Sequence, residues 1–192
     1  MSLIPDFELG LWNAWIFMLP VIAITIFGPR ILGERGCEED LGLTKKEKQI
    51  SNVGNILPFA LIAYSIFLPI KLGTVWLFAG CLIYFLGAII MTMAIFDFRT
   101  TAIDKPVTKG SYRFSRNPMY LGTFLFFGGT GIACLSWVFL ILTGVFMVLL
   151  HIVVVSEERS CLQKYGNAYK EYIDKTPRWI GIPKTDKNLR NP

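Results

Sequence analysis

Hydrophobic residues along this chain are concentrated in four long segments that contain no Asp, Glu, Lys or Arg. These segments are Leu11–Pro29, Gln49–Ile70, Leu72–Phe96 and Asn117–Ser156. About 20 apolar residues in a helix cross the roughly 30 Å hydrocarbon core of a bilayer, so each of the first three segments predicts one membrane helix. The fourth segment has 40 residues. It would be about 60 Å long as a straight helix, so we expect it to fold back on itself.

The expected bend in the fourth segment is the stretch "GGTGIACLSW", because Gly128, Gly129 and Gly131 weaken a helix. The chain is therefore predicted to be an all-α integral membrane protein with five transmembrane helices, of which the last two form a helical hairpin. We treat residues 1–192 as a single domain. Within it, residues 1–96 form a three-helix scaffold, and residues 97–192 contain the hairpin, a polar loop and a polar tail.

The distribution of basic residues predicts how these helices are oriented. With five helices, 18 of the 19 Lys and Arg residues lie on one side of the membrane, and only Lys71 lies on the other. The positive-inside rule makes the basic side cytoplasmic, so the N-terminus is expected outside and the C-terminus inside. The net charge of +5 is then explained by contact with anionic lipids, and we expect no nucleic-acid partner.

Several kinds of site are not indicated by the sequence. The four cysteines show no CxxC spacing and are predicted to be free thiols; they are Cys37, Cys81, Cys134 and Cys161. No metal site is expected. There is also no GxGxxG motif, P-loop or HExxH motif. Any adenosine cofactor must therefore be held by helices and loops.

One candidate site is the stretch "SRNPMYLG", where a basic loop meets the fourth apolar segment. Asn117 suits an N-cap and Pro118 suits the first turn of a helix. On the structural interpretation, Arg116 is then only an interfacial charge. On the functional interpretation, the free N–H groups and the positive dipole end of this helix bind a carboxylate together with Arg116.

A second candidate site follows the last apolar run. Glu157 and Glu158 lie at its end, where carboxylates are costly unless they are paired or bind a cation. Their partners are either nearby arginines or a ligand. His151 is the single histidine and either bonds to a neighbouring helix or has a chemical role. Four later residues recur at helical spacing and predict a packing face; they are Leu162, Tyr165, Tyr169 and Tyr172.

Taken together, the two stretches resemble a known family. "KPVTKGSYRFSRNPMYLG", followed by a hairpin and "EERSCLQKYGNAYKEYIDKTPRWI", is similar to the isoprenylcysteine carboxyl methyltransferases, to which phospholipid methyltransferases are related. That family has an Arg-His-Pro-x-Tyr-x-Gly motif, a hairpin, a Glu-Glu pair and a Tyr-Gly-x-x-Tyr-x-x-Tyr tail. The resemblance extends from about Asp97 to Ile182.

The resemblance implies a monomeric membrane enzyme that transfers a methyl group from S-adenosylmethionine to a lipophilic or prenylated acceptor. Carried over by position, the cofactor-binding residues are Asp104, Lys105, Pro106, Val107, Tyr112, Asn117, Pro118, Met119, Tyr120 and Glu157. The candidate catalytic residues are Arg116, Glu158 and His151. Two positions depart from the family: Asn117 replaces the usual histidine, and Val153 stands near the place of an arginine that precedes the Glu-Glu pair.

The implied chemistry assigns a function to each charge. Arg116 suits the carboxylate of S-adenosylmethionine, and Glu157 suits its ammonium group or ribose hydroxyls. A carboxylate or thiolate acceptor needs no general base, whereas an amine acceptor would need one, with His151 or Glu158 as candidates. S-adenosylmethionine would arrive from the cytoplasm, and a lipid-linked acceptor would arrive sideways from the bilayer. We expect Tyr120, Gly122 and Phe124 to line that side opening beneath a helix running from Glu157 to Tyr172.

Two other functions remain open from the sequence. Membrane reductases of the steroid-reductase type use NADPH and share a similar Arg-x-Pro-x-Tyr-x-Gly stretch, but they usually have Glu after that glycine, where this chain has Thr123. A non-enzymatic membrane protein on the same scaffold is the third alternative. A transporter would carry ionisable residues near the middle of the membrane, and only His151 comes near that position.

Overall fold

The computed structural model describes residues 9–32 and 44–182, and in these ranges the chain is helical with no β-strand. The six α-helices are α1 (Trp15–Leu32), α2 (Lys45–Ser65), α3 (Val75–Arg99), α4 (Pro118–Ala133), α5 (Trp137–Tyr165) and α6 (Asn167–Lys175). A short 3-10 helix, Gly110–Arg113, precedes α4. The prediction of an all-helical fold is confirmed for the described residues.

Two of these helices are long and apolar enough to cross a membrane. They are α3, with 25 residues, and α5, with 29 residues, in which an 18-residue window has a mean hydropathy of 2.2 and 2.9, respectively. Helix α1 has a shorter apolar stretch, Trp15–Gly28. Large apolar side chains face outward from α3, among them Phe78 and Leu82, which are 70% and 73% exposed. These features support a membrane protein, while five spans and their orientation stay predictions.

The predicted fold-back of the fourth apolar segment is confirmed, but its expected cause is wrong. Residues 134–136 join α4 to α5, and the turn uses Leu135 with a left-handed φ of 54°. The Ser136 hydroxyl then caps α5 by accepting from the Phe139 N–H at 3.2 Å. Gly128, Gly129 and Gly131 all lie inside α4, before the turn.

Glycines instead allow α3 and α4 to pack with their backbones in contact. A Cβ atom on Gly80 of α3 would lie 2.5 Å from the Gly129 carbonyl oxygen of α4, and one on Gly87 would lie 2.9 Å from the Gly122 carbonyl oxygen. On each helix the two glycines are seven residues apart, so the two contacts lie on one line between the helices, here called the seam. Small residues at such seams allow membrane helices to approach closely.

The opposite end of the bundle is joined by polar contacts from the segment before α1. The Asn13 side chain donates to the Ile66 carbonyl oxygen at 2.7 Å, and the Ala14 N–H donates to the Leu68 carbonyl oxygen at 2.8 Å. The Tyr84 hydroxyl of α3 donates to the Phe17 carbonyl oxygen at 2.8 Å. These bonds connect α1, α2 and α3 at the end away from the candidate site.

Cys81, Cys134 and Cys161 are free thiols, and Cys37 lies outside the described residues.

The helix expected from Glu157 to Tyr172 is not continuous. Helix α5 runs through Glu157 without interruption and ends at Tyr165. Gly166 follows with φ of 55° and ψ of −128°, a conformation that suits glycine, and α6 begins at the next residue. The break allows α6 to turn back towards the 3-10 helix instead of extending α5.

Candidate active site

Glu158 is the centre of a buried ion-pair network at the end of the hairpin. Its two carboxylate oxygens accept from Arg116 Nε at 2.9 Å and Arg116 Nη2 at 3.1 Å. Arg178 donates to the Oε2 atom from Nε at 3.0 Å and from Nη2 at 2.8 Å. The side chains of Arg116 and Glu158 are each only 8% exposed. One carboxylate therefore joins the start of α4 and the C-terminal segment to α5.

Arg116 is almost fully occupied by these contacts. Besides the two bonds to Glu158, its Nη1 atom donates to the carbonyl oxygens of Ile173 at 3.0 Å and Thr176 at 2.8 Å. A guanidinium group has five N–H donors, and these four bonds use most of them. In this arrangement Arg116 holds α6 and the residues after it, and has little capacity left to bind a ligand carboxylate.

Asn117 occupies the N-cap position of α4 and Pro118 the first turn, as the sequence indicates. The Asn117 side chain does not cap the helix, however. Its Nδ2 atom donates to the Arg178 carbonyl oxygen at 3.2 Å and to Glu158 at 3.4 Å, while its backbone N–H donates to the Ser115 hydroxyl at 3.1 Å. The amide at the position of the family histidine thus joins the Glu158 network.

Glu157 lies beside the Glu158 network but has a different partner. The Tyr120 hydroxyl of α4 donates to Glu157 Oε1 at 2.5 Å. Adjacent residues of a helix point about 100° apart, so the two carboxylates of the pair serve different contacts. Both side chains of the Tyr120–Glu157 bond are half-buried, and this bond joins two of the predicted cofactor-binding residues.

Aromatic residues of α6 and of the loop before α4 form a second core. Val107, Tyr112, Tyr169 and Tyr172 are buried together, with Met119 packed against them. The Tyr172 hydroxyl donates to the Tyr112 carbonyl oxygen at 2.6 Å. Burial raises the pKa of Tyr172 well above its ordinary value, so the hydroxyl stays protonated and keeps donating. The predicted packing face is thereby confirmed for Tyr169 and Tyr172. Leu162 of the same predicted face is 40% exposed.

The loop between α3 and the 3-10 helix is closed at its base by Asp97. The Asp97 Oδ2 atom accepts from the Ser111 backbone N–H at 2.8 Å and from the Ser111 hydroxyl at 2.9 Å. Gly110 has φ of 56° and no room for a side chain against Asp97. At the tip of the loop Asp104 and Lys105 are exposed, and Pro106 is half-buried.

An open pocket of about 360 Å³ lies between this loop and α6. It is lined by Thr108, Arg113, Ala168, Glu171, Tyr172, Lys175 and Thr176. Thr108 follows the predicted Val107, and Arg113 follows the predicted Tyr112. The pocket therefore borders the loop to which the family resemblance assigns cofactor binding, and it contains side chains of both charges.

The third candidate catalytic residue, His151, belongs neither to the Glu158 network nor to the aromatic core. It is exposed on α5, and its Nδ1 atom accepts from the Trp179 indole N–H at 3.3 Å. The ring of His151 is therefore in contact with the C-terminal segment.

The structure thus brings most of the predicted residues into two neighbouring groups. The first contains Arg116, Asn117 and Glu158, and the second contains Val107, Tyr112 and Met119, with the Tyr120–Glu157 bond beside them. Arg178 was not predicted. It lies within the stretch "TPRWI", which carries the resemblance, but a lone arginine in a tail gives no sign of its partner 20 residues earlier.

Comparison with known families gives one match. The model of the family described as phospholipid methyltransferase matches residues 72–168, which is just over half of the chain. The matched range begins before α3 and ends in the first residues of α6, so it covers the whole hairpin and the loop before it. No curated protein matches the sequence.

Proposed function

Because the chain belongs to the phospholipid methyltransferase family, we propose that it is an integral-membrane methyltransferase that uses S-adenosylmethionine and acts on a lipid-linked or membrane-partitioned acceptor. One observation carries the proposal. Within the matched range, side-chain contacts bring together the loop before α4, the start of α4 and Glu157 of α5. This family match does not favour the NADPH-dependent reductase.

The side chains of this region fit such a cofactor in their chemistry. Tyr172 of the aromatic core also lines the pocket and offers an aromatic edge for an adenine ring, and Glu157 offers a carboxylate for an ammonium group or ribose hydroxyls. Arg113 is exposed and lines the adjoining pocket, and its side chain has no hydrogen bond or ion pair with any described residue. Since Arg116 is held by Glu158, Arg113 is the better placed cation for the cofactor carboxylate.

In this proposal S-adenosylmethionine supplies an electrophilic methyl group, and the protein contributes position and exclusion of water. Asp104, Lys105, Pro106 and Val107 cover the cofactor from the loop. Glu157 orients it from α5, with Tyr120 fixing the carboxylate of Glu157. Arg116, Asn117 and Glu158 act as positioning residues, because their contacts hold the start of α4 against α5 and the C-terminal segment.

The acceptor in this proposal is lipophilic, as in the isoprenylcysteine carboxyl methyltransferases. A carboxylate or thiolate acceptor would react without a base, whereas an amine acceptor would need to lose a proton. Of the two candidate bases, Glu158 is held by Arg116 and Arg178, and His151 bonds to Trp179. Side access from the bilayer remains part of the proposal, with Tyr120 and Phe124 as lining residues. Gly122 is excluded from that lining because it is buried against Met91 and Gly87 of α3.

A test of the cofactor site is the substitution Glu157→Gln, which keeps the shape of the side chain and removes its charge. We expect the affinity for S-adenosylhomocysteine to fall at least about tenfold, or ~1.4 kcal/mol, through loss of a charge-assisted contact. Isothermal titration of the detergent-purified protein measures this change. Asp174→Asn, on the exposed surface of α6, is the matched control and should bind like the unmodified protein.

The same titrations test the proposed function as a whole. The unmodified protein should bind S-adenosylmethionine and S-adenosylhomocysteine and should give no heat with NADPH. Binding of NADPH alone would favour the reductase, and binding of none of the three would favour a non-enzymatic protein. Equal affinities for S-adenosylhomocysteine in Glu157→Gln and Asp174→Asn would show that the cofactor lies elsewhere.

The proposed topology is tested by labelling single cysteines from either side of the membrane. In a protein without its native cysteines, we expect Lys45→Cys and Lys109→Cys to react from the cytoplasmic side, and Lys71→Cys to react from the outside. The reason is that α2 separates Lys45 from Lys71 and α3 separates Lys71 from Lys109. A membrane-impermeant thiol reagent applied to sealed vesicles of known orientation makes the measurement, and reaction of Lys45→Cys and Lys109→Cys from opposite sides would contradict the five-helix topology.

A further inference from the structure

The C-terminal segment Thr176–Ile182, here called the strap, is fixed against the helices at several points. The Arg116 N–H donates to the Pro177 carbonyl oxygen at 3.0 Å, and the Gly181 N–H donates to the Phe114 carbonyl oxygen at 3.2 Å. Between these two contacts, Arg178 holds the strap to Glu158. The strap therefore follows a defined path past the start of α4 to the surface of α5.

Trp179 of the strap lies against the outward-facing side of α5. Its indole ring stacks on the His151 ring, with centroids 6.0 Å apart and an interplanar angle of 30°. His151 is exposed and lies between Val148 and Val155, which are 66% and 37% exposed. Residues with this spacing share one face of a helix. Ile141 and Val145 continue the same exposed face towards the start of α5.

This face of α5 is suited to contact lipid. Helix α5 is apolar enough to cross a membrane, and the face from Ile141 to Val155 contains no charged residue. His151 lies five residues before Ser156, where the charge-free run ends. That is about 7–8 Å along the helix axis, so the ring on which Trp179 stacks is inside the apolar part of α5.

The strap also presents further large apolar side chains without protein cover. Ile180 is 71% exposed and Ile182 is 90% exposed, and Phe114, which the backbone bond from Gly181 places beside them, is 60% exposed. Exposed aromatic and aliphatic side chains of this kind are typical of segments that lie in the membrane interface.

We propose that the strap is a membrane contact, in which Trp179, Ile180 and Ile182 enter the lipid leaflet beside His151. The occupant of this apolar surface is lipid, because the surface is continuous with the outward face of a helix that is long and apolar enough to cross a membrane. The proposal rests on the membrane location of the chain and not on the methyl transfer. Because Arg178 of the strap also holds Glu158, the lipid contact is mechanically connected to the start of α4.

Nitroxide labels can measure the surroundings of the strap directly. The label is attached to Ile180→Cys in a full-length protein whose native cysteines are replaced by alanine, reconstituted in lipid nanodiscs. Electron paramagnetic resonance then compares collisions with oxygen, which concentrates in lipid, and with a water-soluble nickel chelate. Val148→Cys on α5 is the lipid reference, and Lys170→Cys, exposed on α6, is the aqueous reference.

We expect the ratio of oxygen to nickel accessibility at Ile180→Cys to match that at Val148→Cys and to exceed that at Lys170→Cys. The label at Ile182→Cys should give the same ordering, which protects the conclusion if one variant is poorly folded. A ratio equal to that of Lys170→Cys would show that the strap lies in water. Low accessibility to both reagents, as in a contact between two copies of the chain, would also overturn the proposal.

Discussion

Replacing Glu158 by alanine should lower the stability of the protein more than replacing any other carboxylate in the described part of the chain. The substitution would leave Arg116, whose side chain is 8% exposed, without its carboxylate partner. Removing one member of a buried ion pair typically costs about 3–5 kcal/mol because the remaining charge is left uncompensated. Denaturant titration in detergent, followed by circular dichroism, measures the change in the free energy of unfolding.

Two further substitutions test whether the loss of stability depends on the burial of the ion pair that is removed. Arg178→Ala should destabilise less, because the Arg178 side chain is 34% exposed and Glu158 keeps its contacts with Arg116. Arg159→Ala removes an exposed ion pair with Glu47 but leaves the Glu47 capping box in place, and it should have little effect. If Glu158→Ala were no more destabilising than Arg159→Ala, the ion-pair network would not hold the hairpin and the C-terminal segment together.

Substituting alanine for Gly129 should separate α3 from α4. A Cβ atom there would lie 2.7 Å from both the Gly80 carbonyl oxygen and the Tyr84 nitrogen, and backbone atoms cannot move aside as a flexible side chain can. Over-packing of this kind typically costs about 1–3 kcal/mol. The same unfolding titration should therefore show a clear loss of stability, and Gly80→Ala should show a similar loss from the other side of the seam.

Gly128 provides the matched control in the same helix. A Cβ atom on Gly128 would meet no atom within 4 Å. Since alanine favours a helix over glycine by about 1 kcal/mol, Gly128→Ala should be neutral or stabilising. Similar losses of stability in Gly128→Ala and Gly129→Ala would mean that the contact between α3 and α4 does not determine the result.

The positions of the helices were largely predictable from the sequence, because apolar segments without charges are rare outside membrane helices. The exact ends were not. Helix α2 begins at Lys45, before the apolar segment, because the Thr44 hydroxyl and the Glu47 carboxylate form a capping box there. Helix α5 likewise continues through Glu157 to Tyr165. Backbone hydrogen bonds carry a helix past its apolar part until a cap or a glycine ends it.

The contacts of the candidate site were only partly predictable. The sequence indicated that Glu158 needs a partner, but Arg116 lies 42 residues away and Arg178 20 residues away, so pairing was not evident from spacing. The glycines of α4 were assigned to the bend because a weak helix former suggests a turn. Which face of a helix meets its neighbour depends on tertiary packing, and a single sequence does not specify the facing residues Gly80 and Gly129.

The hydrogen bond between Asp97 and Ser111 lowers the entropic cost of binding a ligand in the region before α4. This bond closes the loop between α3 and the 3-10 helix at its base. The Tyr165 hydroxyl adds a second fixed point by donating to the Ile103 carbonyl oxygen at 3.2 Å. Much of the conformational freedom of these residues is therefore already lost in the free protein. A ligand under the loop would have to order only the few residues at its tip, and such preorganisation increases affinity without adding a single contact.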